Sequence, residues 1–271
     1  RKFKTPNKNN LNLEFNINKL ISLLKKSNKP IIILGGGIRY SNSDRILKDF
    51  LKKFQIPIVA TWSGTDLIDH NDKRYIGNIG VYGNRSANII TQNSDLIICL
   101  GSRLDTRVTG GNPGSFASKA KKIVVDVDKY ELSKKRGLKI DLKINSDLKL
   151  FFNSFKKNKI NIIRKNWLDK SINLKKKFCY SKINNNNNKV NPYTFVLELS
   201  KILNKNSIII GDTGSHLTWL MQSFKIKHGQ MLFSAFGNSP MGYALPASIG
   251  AKIINKKKKI VSLNGDGSIQ L

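Results

Sequence analysis

Apolar residues at Ile17, Leu20, Ile21, Leu23 and Leu24 recur at the spacing of one helical face, and Asn28 and Pro30 end the stretch, which predicts a helix over 17–26. Residues 31–34 follow as an unbroken apolar run that ends in three glycines, the pattern of a strand covered on both faces. The alternation then repeats, with helices predicted over 43–54, 85–92 and 147–155 and strands over 56–60, 96–100, 122–127 and 141–144. Short apolar strands alternating with helices predict an α/β fold with a parallel, doubly wound sheet, here one domain over 16–155. Residues 1–15 are polar and aperiodic and read as linker. Residues 156–190 carry lysines, Trp167 and a helical pattern into five asparagines at 184–188, and also read as linker. Beyond them, helices over 192–203, 214–224 and 241–254 and strands over 207–210 and 259–263 predict a second doubly wound parallel-sheet domain over 191–271. It is expected to be truncated.

Composition changes this picture little. The formal charge of +31, from 48 Lys and Arg against 17 Asp and Glu, raises the question of nucleic acid, because lysines release counterions from phosphate. The lysines are scattered, however, and do not interleave with aromatic residues. They read as solvated surface in a chain rich in Lys, Asn and Ile, with no specific nucleic-acid partner. Two cysteines offer neither a disulfide framework nor zinc-ligand spacing, and Cys99 sits inside an apolar run as a core residue. No stretch is long and apolar enough for a membrane helix, and the expected location is cytoplasmic.

The candidate chemistry lies at the far end. A strand running into Asn264-Gly-Asp-Gly-Ser268 is suited to an anion. Its glycines let the backbone approach a ligand, and a helix start beyond it offers unpaired N–H groups to phosphate oxygens. Asp266 adds a hard oxygen ligand, and a carboxylate beside a diphosphate calls for a divalent cation between them, for which Mg²⁺ fits. As a string by itself the motif also occurs in ordinary turns.

In context it resembles the thiamine-diphosphate-dependent carboligases and decarboxylases, whose diphosphate motif opens Gly-Asp-Gly. The resemblance implies Asp266 as metal ligand and Gly265, Gly267 and Ser268 as cofactor-binding positions. Gly214-Ser215-His216 resembles the Gly-Gln-His of acetolactate synthases, which implies Ser215 and His216 at the cofactor phosphates. Gly237 to Gly242, followed by Tyr-Ala-Leu-Pro-Ala, resembles that family's Gly-Leu-Gly-Thr-Met-Gly segment. Met241 then takes the place of the large apolar residue beneath the bent cofactor; as a plain sequence position it reads equally as core filler. The expected activity is thiamine-diphosphate- and Mg²⁺-dependent decarboxylation and carboligation of 2-oxo acids. Acetolactate synthesis from two pyruvates, in isoleucine and valine biosynthesis, leads; a paralogous lyase or decarboxylase is the alternative.

The first domain also resembles its acetolactate-synthase counterpart. Gly-Ser-Arg-Leu-Asp-Thr-Arg-Val-Thr-Gly (101–110) matches Gly-x-Arg-Phe-Asp-Asp-Arg-Val-Thr-Gly, and Ile-Val-Val-Asp-Val-Asp (123–128) matches a strand ending in paired aspartates. The resemblance implies an FAD seat with Gly36, Arg103 and Asp126 facing it, or else the same fold without flavin. Gly35 to Gly37 also invites a non-catalytic nucleotide-binding module, although Tyr40 stands where the last glycine of Gly-x-Gly-x-x-Gly belongs. In this family the activating glutamate lies in an N-terminal pyrimidine-binding domain, and the site forms between subunits of a homodimer or tetramer, some with a regulatory subunit. The chain opens without Met and stops soon after the glycine motif. It is therefore expected to be a fragment, inactive alone, with no catalytic residue of its own.

Overall fold

Residues 10–180 and 189–271 are described in the computed structural model. The chain up to residue 9 and the asparagines at 184–188, both read as linker, lie outside the described residues. The chain runs through α1 (Asn10–Lys26), β1 (Pro30–Leu34), α2 (Gly37–Tyr40), α3 (Asp44–Leu51), β2 (Phe54–Gln55), β3 (Ile58–Ala60), a 3-10 turn at Trp62–Leu67 and β4 (Tyr75–Asn78). Next come α4 (Arg85–Gln92), β5 (Leu96–Leu100), α5 (Thr106–Thr109), β6 (Lys121–Asp126), α6 (Lys129–Ser133), β7 (Leu142–Asn145), α7 (Leu148–Lys156), β8 (Ile162–Ile163) and α8 (Lys165–Lys177). The remainder is α9 (Pro192–Ile202), β9 (Ser207–Gly211), α10 (Ser215–Ser223), β10 (Met231–Phe233), α11 (Ala244–Ile254), β11 (Lys259–Leu263) and a 3-10 turn at Ser268–Gln270.

Six strands form one parallel sheet in the order β4-β3-β1-β5-β6-β7. The chain leaves β1 toward one edge and returns to start the other half at β5, the doubly wound arrangement whose crevice opens where the strand order reverses. Alternation along β1 divides the core. Ile32 and Leu34 face a cluster with α1, α3 and α7, while Ile31 and Ile33 face another with α4 and Trp167 of α8. On the first face Phe50 sits 4.8, 5.0 and 4.9 Å, centroid to centroid, from Phe54, Phe152 and Phe155. A second parallel sheet, β10-β9-β11, carries its own clusters around Ile209 and Ile210.

Three expectations are corrected. Part of the stretch read as linker before residue 16 is helical, because Leu13 extends the apolar stripe of α1 one turn upstream and is buried. The helix expected over 43–54 stops at Leu51, and Phe54 begins a two-residue strand paired with Ile162. Most of the described part of the predicted linker 156–190 is docked. Trp167 is buried with its Nε1 donating to Pro30 O at 3.1 Å, and Arg164 donates to Ser27 O at 2.6 Å and Leu24 O at 3.1 Å, satisfying carbonyls at the C-terminal end of α1. Two anchors among many lysines hold the segment, too few to mark it in the sequence. Trp167→Phe keeps the apolar packing and orphans Pro30 O, so a loss of about 1 kcal/mol is expected in urea unfolding.

The two sheets meet along the 3-10 turn and the segment after it. Asp66 is paired with Arg39 and also accepts from Leu232 N of β10 at 2.9 Å. His70 N donates to Ile226 O at 3.0 Å, and its ring lies between Thr65 O at 2.9 Å and Phe224 O at 3.1 Å. Asn78 Nδ2 donates to Met221 O at 2.7 Å and Asn84 Nδ2 to Gln222 O at 2.9 Å.

Candidate functional site

The carboxyl ends of β9 and β11 lie side by side, and each runs into a glycine-containing turn. Asp212, fully buried after β9, accepts from Thr213 N at 2.7 Å and from Ala244 N at 2.7 Å, so one carboxylate ties the start of α11 to the end of β9. The helix expected from residue 241 begins at Ala244, because Gly242 at φ +81° takes a left-handed conformation that no helix continues through. That leaves Met241 outside the helix, half exposed, beside the glycine loop: a Cβ added at Gly267 would stand 3.4 Å from its Cε.

His216, in the first turn of α10, folds back over the same place. Gly214, at φ +151°, leaves it room, since a Cβ there would come within 2.6 Å of His216 Cε1. Burial holds the imidazole pKa below its ordinary value, opposed by the nearby Asp212 carboxylate, so the ring is neutral around pH 7. A Cβ at Gly265 would lie 3.3 Å from His216 Cε1 and 3.4 Å from Ser268 Oγ. His216, Gly265, Gly267, Ser268 and Met241 are thus brought together from three separate stretches of chain. Ser268 is buried and its hydroxyl is engaged within its own loop, accepting from Gly265 N at 3.0 Å. Asp266 projects from the loop, exposed.

Three buried polar atoms around these strand ends have no partner: Thr213 Oγ1, His216 Nε2 and Asn264 Oδ1. Leaving such groups unpaired costs roughly 1–3 kcal/mol each, so the cluster is arranged for something that supplies the missing bonds. A hydroxyl and a neutral imidazole N–H beside a glycine loop are a donor set for a diphosphate. Among the described residues no group of three His, Cys, Asp or Glu side chains could hold a metal by itself. Asp266 alone suits a cation that takes its other ligands from phosphate and water, as Mg²⁺ does.

Facing Thr213 and Ser215 is a cavity of about 550 Å³ between the carboxyl ends of β3, β4 and β5 and the mouth of α10. Trp62 stands 6.2 Å from Tyr82 and 6.4 Å from Phe236 along it. Arg107 reaches across to donate to Phe236 O at 3.0 Å and Ser239 Oγ at 2.7 Å. Sequence reasoning did not single out Arg107, Trp62, Thr213 or Asp212. Arg107 stood in the quoted 101–110 motif, but nothing local distinguished it from Arg103.

The three flavin candidates sit along the carboxyl edge of the six-stranded sheet, and none of them lines this cavity. Arg103 is exposed and paired with Asp105 at 3.2 Å. Asp126 accepts from Asp128 N at 3.0 Å, and burial raises its pKa. The glycines beside Gly36 are consumed by packing: Gly35 N donates to Leu100 O and Gly37 N to Gly101 O, each at 2.9 Å. Those amides are not free to cradle a phosphate, which removes the main support for a plain nucleotide module at this loop.

Two parallel sheets, with a glycine-acid loop at the mouth of the second, define an α/β fold with a candidate phosphate-binding loop, and similarity to known proteins gives that class a family. The thiamine pyrophosphate enzyme central domain matches residues 17–155, and the thiamine pyrophosphate enzyme C-terminal TPP binding domain matches residues 212–271. The chain belongs to the thiamine pyrophosphate enzymes. Within that family it is similar to acetolactate synthase large subunits. It is 33% identical to that of Lactococcus lactis over 258 residues, which is 94% of this chain and 44% of that protein. It is 34% identical to that of Cyanidium caldarium over 264 residues, again 94% and 44%. The mitochondrial acetolactate synthase catalytic subunit of Saccharomyces cerevisiae is 28% identical over 272 residues, 94% of this chain and 39% of that protein. The chain therefore spans less than half the length of these relatives.

Proposed function

We propose that this chain is part of an acetolactate synthase that binds thiamine diphosphate with Mg²⁺ and joins two pyruvates with loss of CO₂, in isoleucine and valine biosynthesis. The carrying observation is the pair of unpartnered buried donors, Thr213 Oγ1 and His216 Nε2, beside the glycine loop. When bound, the cofactor supplies a carbanion at its thiazolium ring and an electron sink for decarboxylation. The protein's part is to hold and orient. Thr213 and His216 donate to the diphosphate, Gly265 and Gly267 let it approach the backbone, Ser215 faces it from the first turn of α10, and Ser268 holds the loop in shape. Asp266 carries the metal, and Met241 covers the loop with an apolar side chain. Asp212 positions the assembly through its two backbone bonds.

Domains are proposed at 16–155 and 191–271, and the protein is proposed to assemble as a homo-oligomer. An apolar stripe on α11 supports the assembly: Leu245, Ile249 and Ile253, four residues apart, are 43, 57 and 66% exposed. FAD at Gly36, Arg103 and Asp126 is supported by their common sheet edge and is tested by flavin absorbance of the purified protein.

Thr213→Val and Asp266→Ala are each expected to weaken Mg²⁺-dependent thiamine diphosphate binding at least tenfold, about 1.4 kcal/mol, by calorimetry. Unchanged affinity in both variants removes the cofactor site from this loop. The activity itself is tested on the full-length protein by CO₂ and acetolactate formation from pyruvate. Cofactor binding without CO₂ release moves the reading to a paralogous lyase acting on another 2-oxo acid.

A further inference from the structure

A second, smaller cavity of about 100 Å³ lies on the far side of the sheet junction, lined among others by Tyr75, Lys175, Cys179, Ser223 and Lys225. Lys175 comes from the last turn of α8 and Lys225 from the segment after α10, so the two halves of the molecule each bring an ammonium to one place. Lys175 Nζ donates to Tyr75 O at 2.6 Å and stands 5.2 Å from the centroid of the Tyr75 ring. Among the described residues no carboxylate pairs with either lysine within 4.0 Å; Asp72 acts on Lys175 only from farther away. Lys225 is exposed and Lys175 half-buried, so of the two amines lining this cavity Lys175 is the one that burial and a neighbouring like charge press toward its neutral form. Burial, with Lys225 next, lowers the Lys175 pKa to about 8, opposed by Cys179 and Asp72.

We propose that Lys175 is a carbamylation site, an amine that takes up carbon dioxide as a reversible carbamate facing Lys225. The neutral Nζ lone pair forms an N–C bond to the CO₂ carbon. One C–O π pair moves onto oxygen, and an N–H proton leaves to water, so that amine and CO₂ give N-carboxylate and H⁺. The remaining N–H keeps its bond to Tyr75 O, and the new carboxylate lies in the cavity that Lys225 also lines, replacing a like charge beside it by an opposite one. A cavity of this size has room for about three waters at their liquid volume and so accommodates the three added atoms. The free-amine fraction supports the reaction. At pH 7.5 a lysine titrating near 8 holds on the order of a hundredfold more neutral amine than an ordinary surface lysine. The site stands apart from the proposed cofactor loop and needs only dissolved CO₂.

The test is alkyl trapping of carbamates with a trialkyloxonium salt in ¹³C-bicarbonate, read by peptide mass spectrometry on the wild-type chain. The expected result is label on Lys175 at least tenfold above the mean of the exposed lysines, lost in Lys175→Arg and reduced several-fold in Lys225→Ala. Label on Lys175 no higher than on exposed lysines overturns the proposal without any variant. Equal labelling of wild type and Lys225→Ala overturns the pairing on which it is built.

Discussion

Gly35→Ala is expected to destabilise the fold by about 3 kcal/mol, the upper range for forcing an extra carbon into a packed core. The added Cβ would stand 2.2 Å from Gly101 O and 2.6 Å from Ser102 Cβ, so the ends of β1 and β5 would have to part in the middle of the sheet. Gly101 is held by backbone bonds on both sides, Gly37 N to its O at 2.9 Å and its own N to Val125 O at 3.0 Å, and cannot swing aside. Gly36→Ala is the control, because its Cβ would meet the Ser63 side chain at 3.0 Å, and a loss below about 1 kcal/mol is expected there. Urea unfolding of the two variants measures the difference. A stable Gly35→Ala that had lost dinucleotide binding would restore these glycines as a nucleotide loop; a destabilised one marks them as the seam of the sheet.

Acidification from pH 7 to 5 is expected to weaken the junction between the sheets through His70. Burial lowers its pKa from 6.5 to about 4, offset in part by bonds to the Thr65 and Phe224 carbonyls. The unfolded chain takes up a proton below about pH 6.5 that the folded chain refuses. The contribution is thus fully present above that pH and is lost as pH falls toward 4. The loss is about 2 kcal/mol at pH 5 and about 3 kcal/mol at pH 4, at 1.36 kcal/mol per pH unit. Asp66, whose pKa is raised by burial despite Arg39, acts in the opposite sense and His216 in the same sense, so the window between 7 and 5 is read as the difference between the wild type and a His70 variant. Urea midpoints across that window should fall more steeply in the wild type than in His70→Gln. A parallel slope in the variant assigns the acid sensitivity elsewhere.

The sequence carried most strands of both sheets because burial on two faces leaves a local mark: four or five apolar residues in succession between helical patterns, as at 31–34 and 96–100. The glycine-acid loop was legible for a related reason. A backbone that must approach a phosphate closely needs glycine, and the loop, its acid and the strand before it are contiguous. Elements of weaker apolar character were not seen. β4 contains Gly77 and Asn78 and β10 has three residues; the helical pattern of α8 was legible, but its docking was not, with one buried tryptophan among lysines.

By itself, then, the sequence determined most of the buried strands, that they lie parallel with helices on both faces, and where a glycine loop suited to an anion lies. Those properties depend on residue spacing within a dozen positions. Tertiary structure alone decided that Gly35 packs on Gly101, that His216 folds back over Gly265, and that Arg107 closes a cavity against Ser239. It also brought Lys175 and Lys225 to one cavity. In each pair the partners lie between 49 and 132 positions apart, and what joins them is the order of strands in a sheet and the docking of one sheet on another. No local pattern encodes that order, because a side chain meets a distant partner only after both have been placed by cores that neither belongs to.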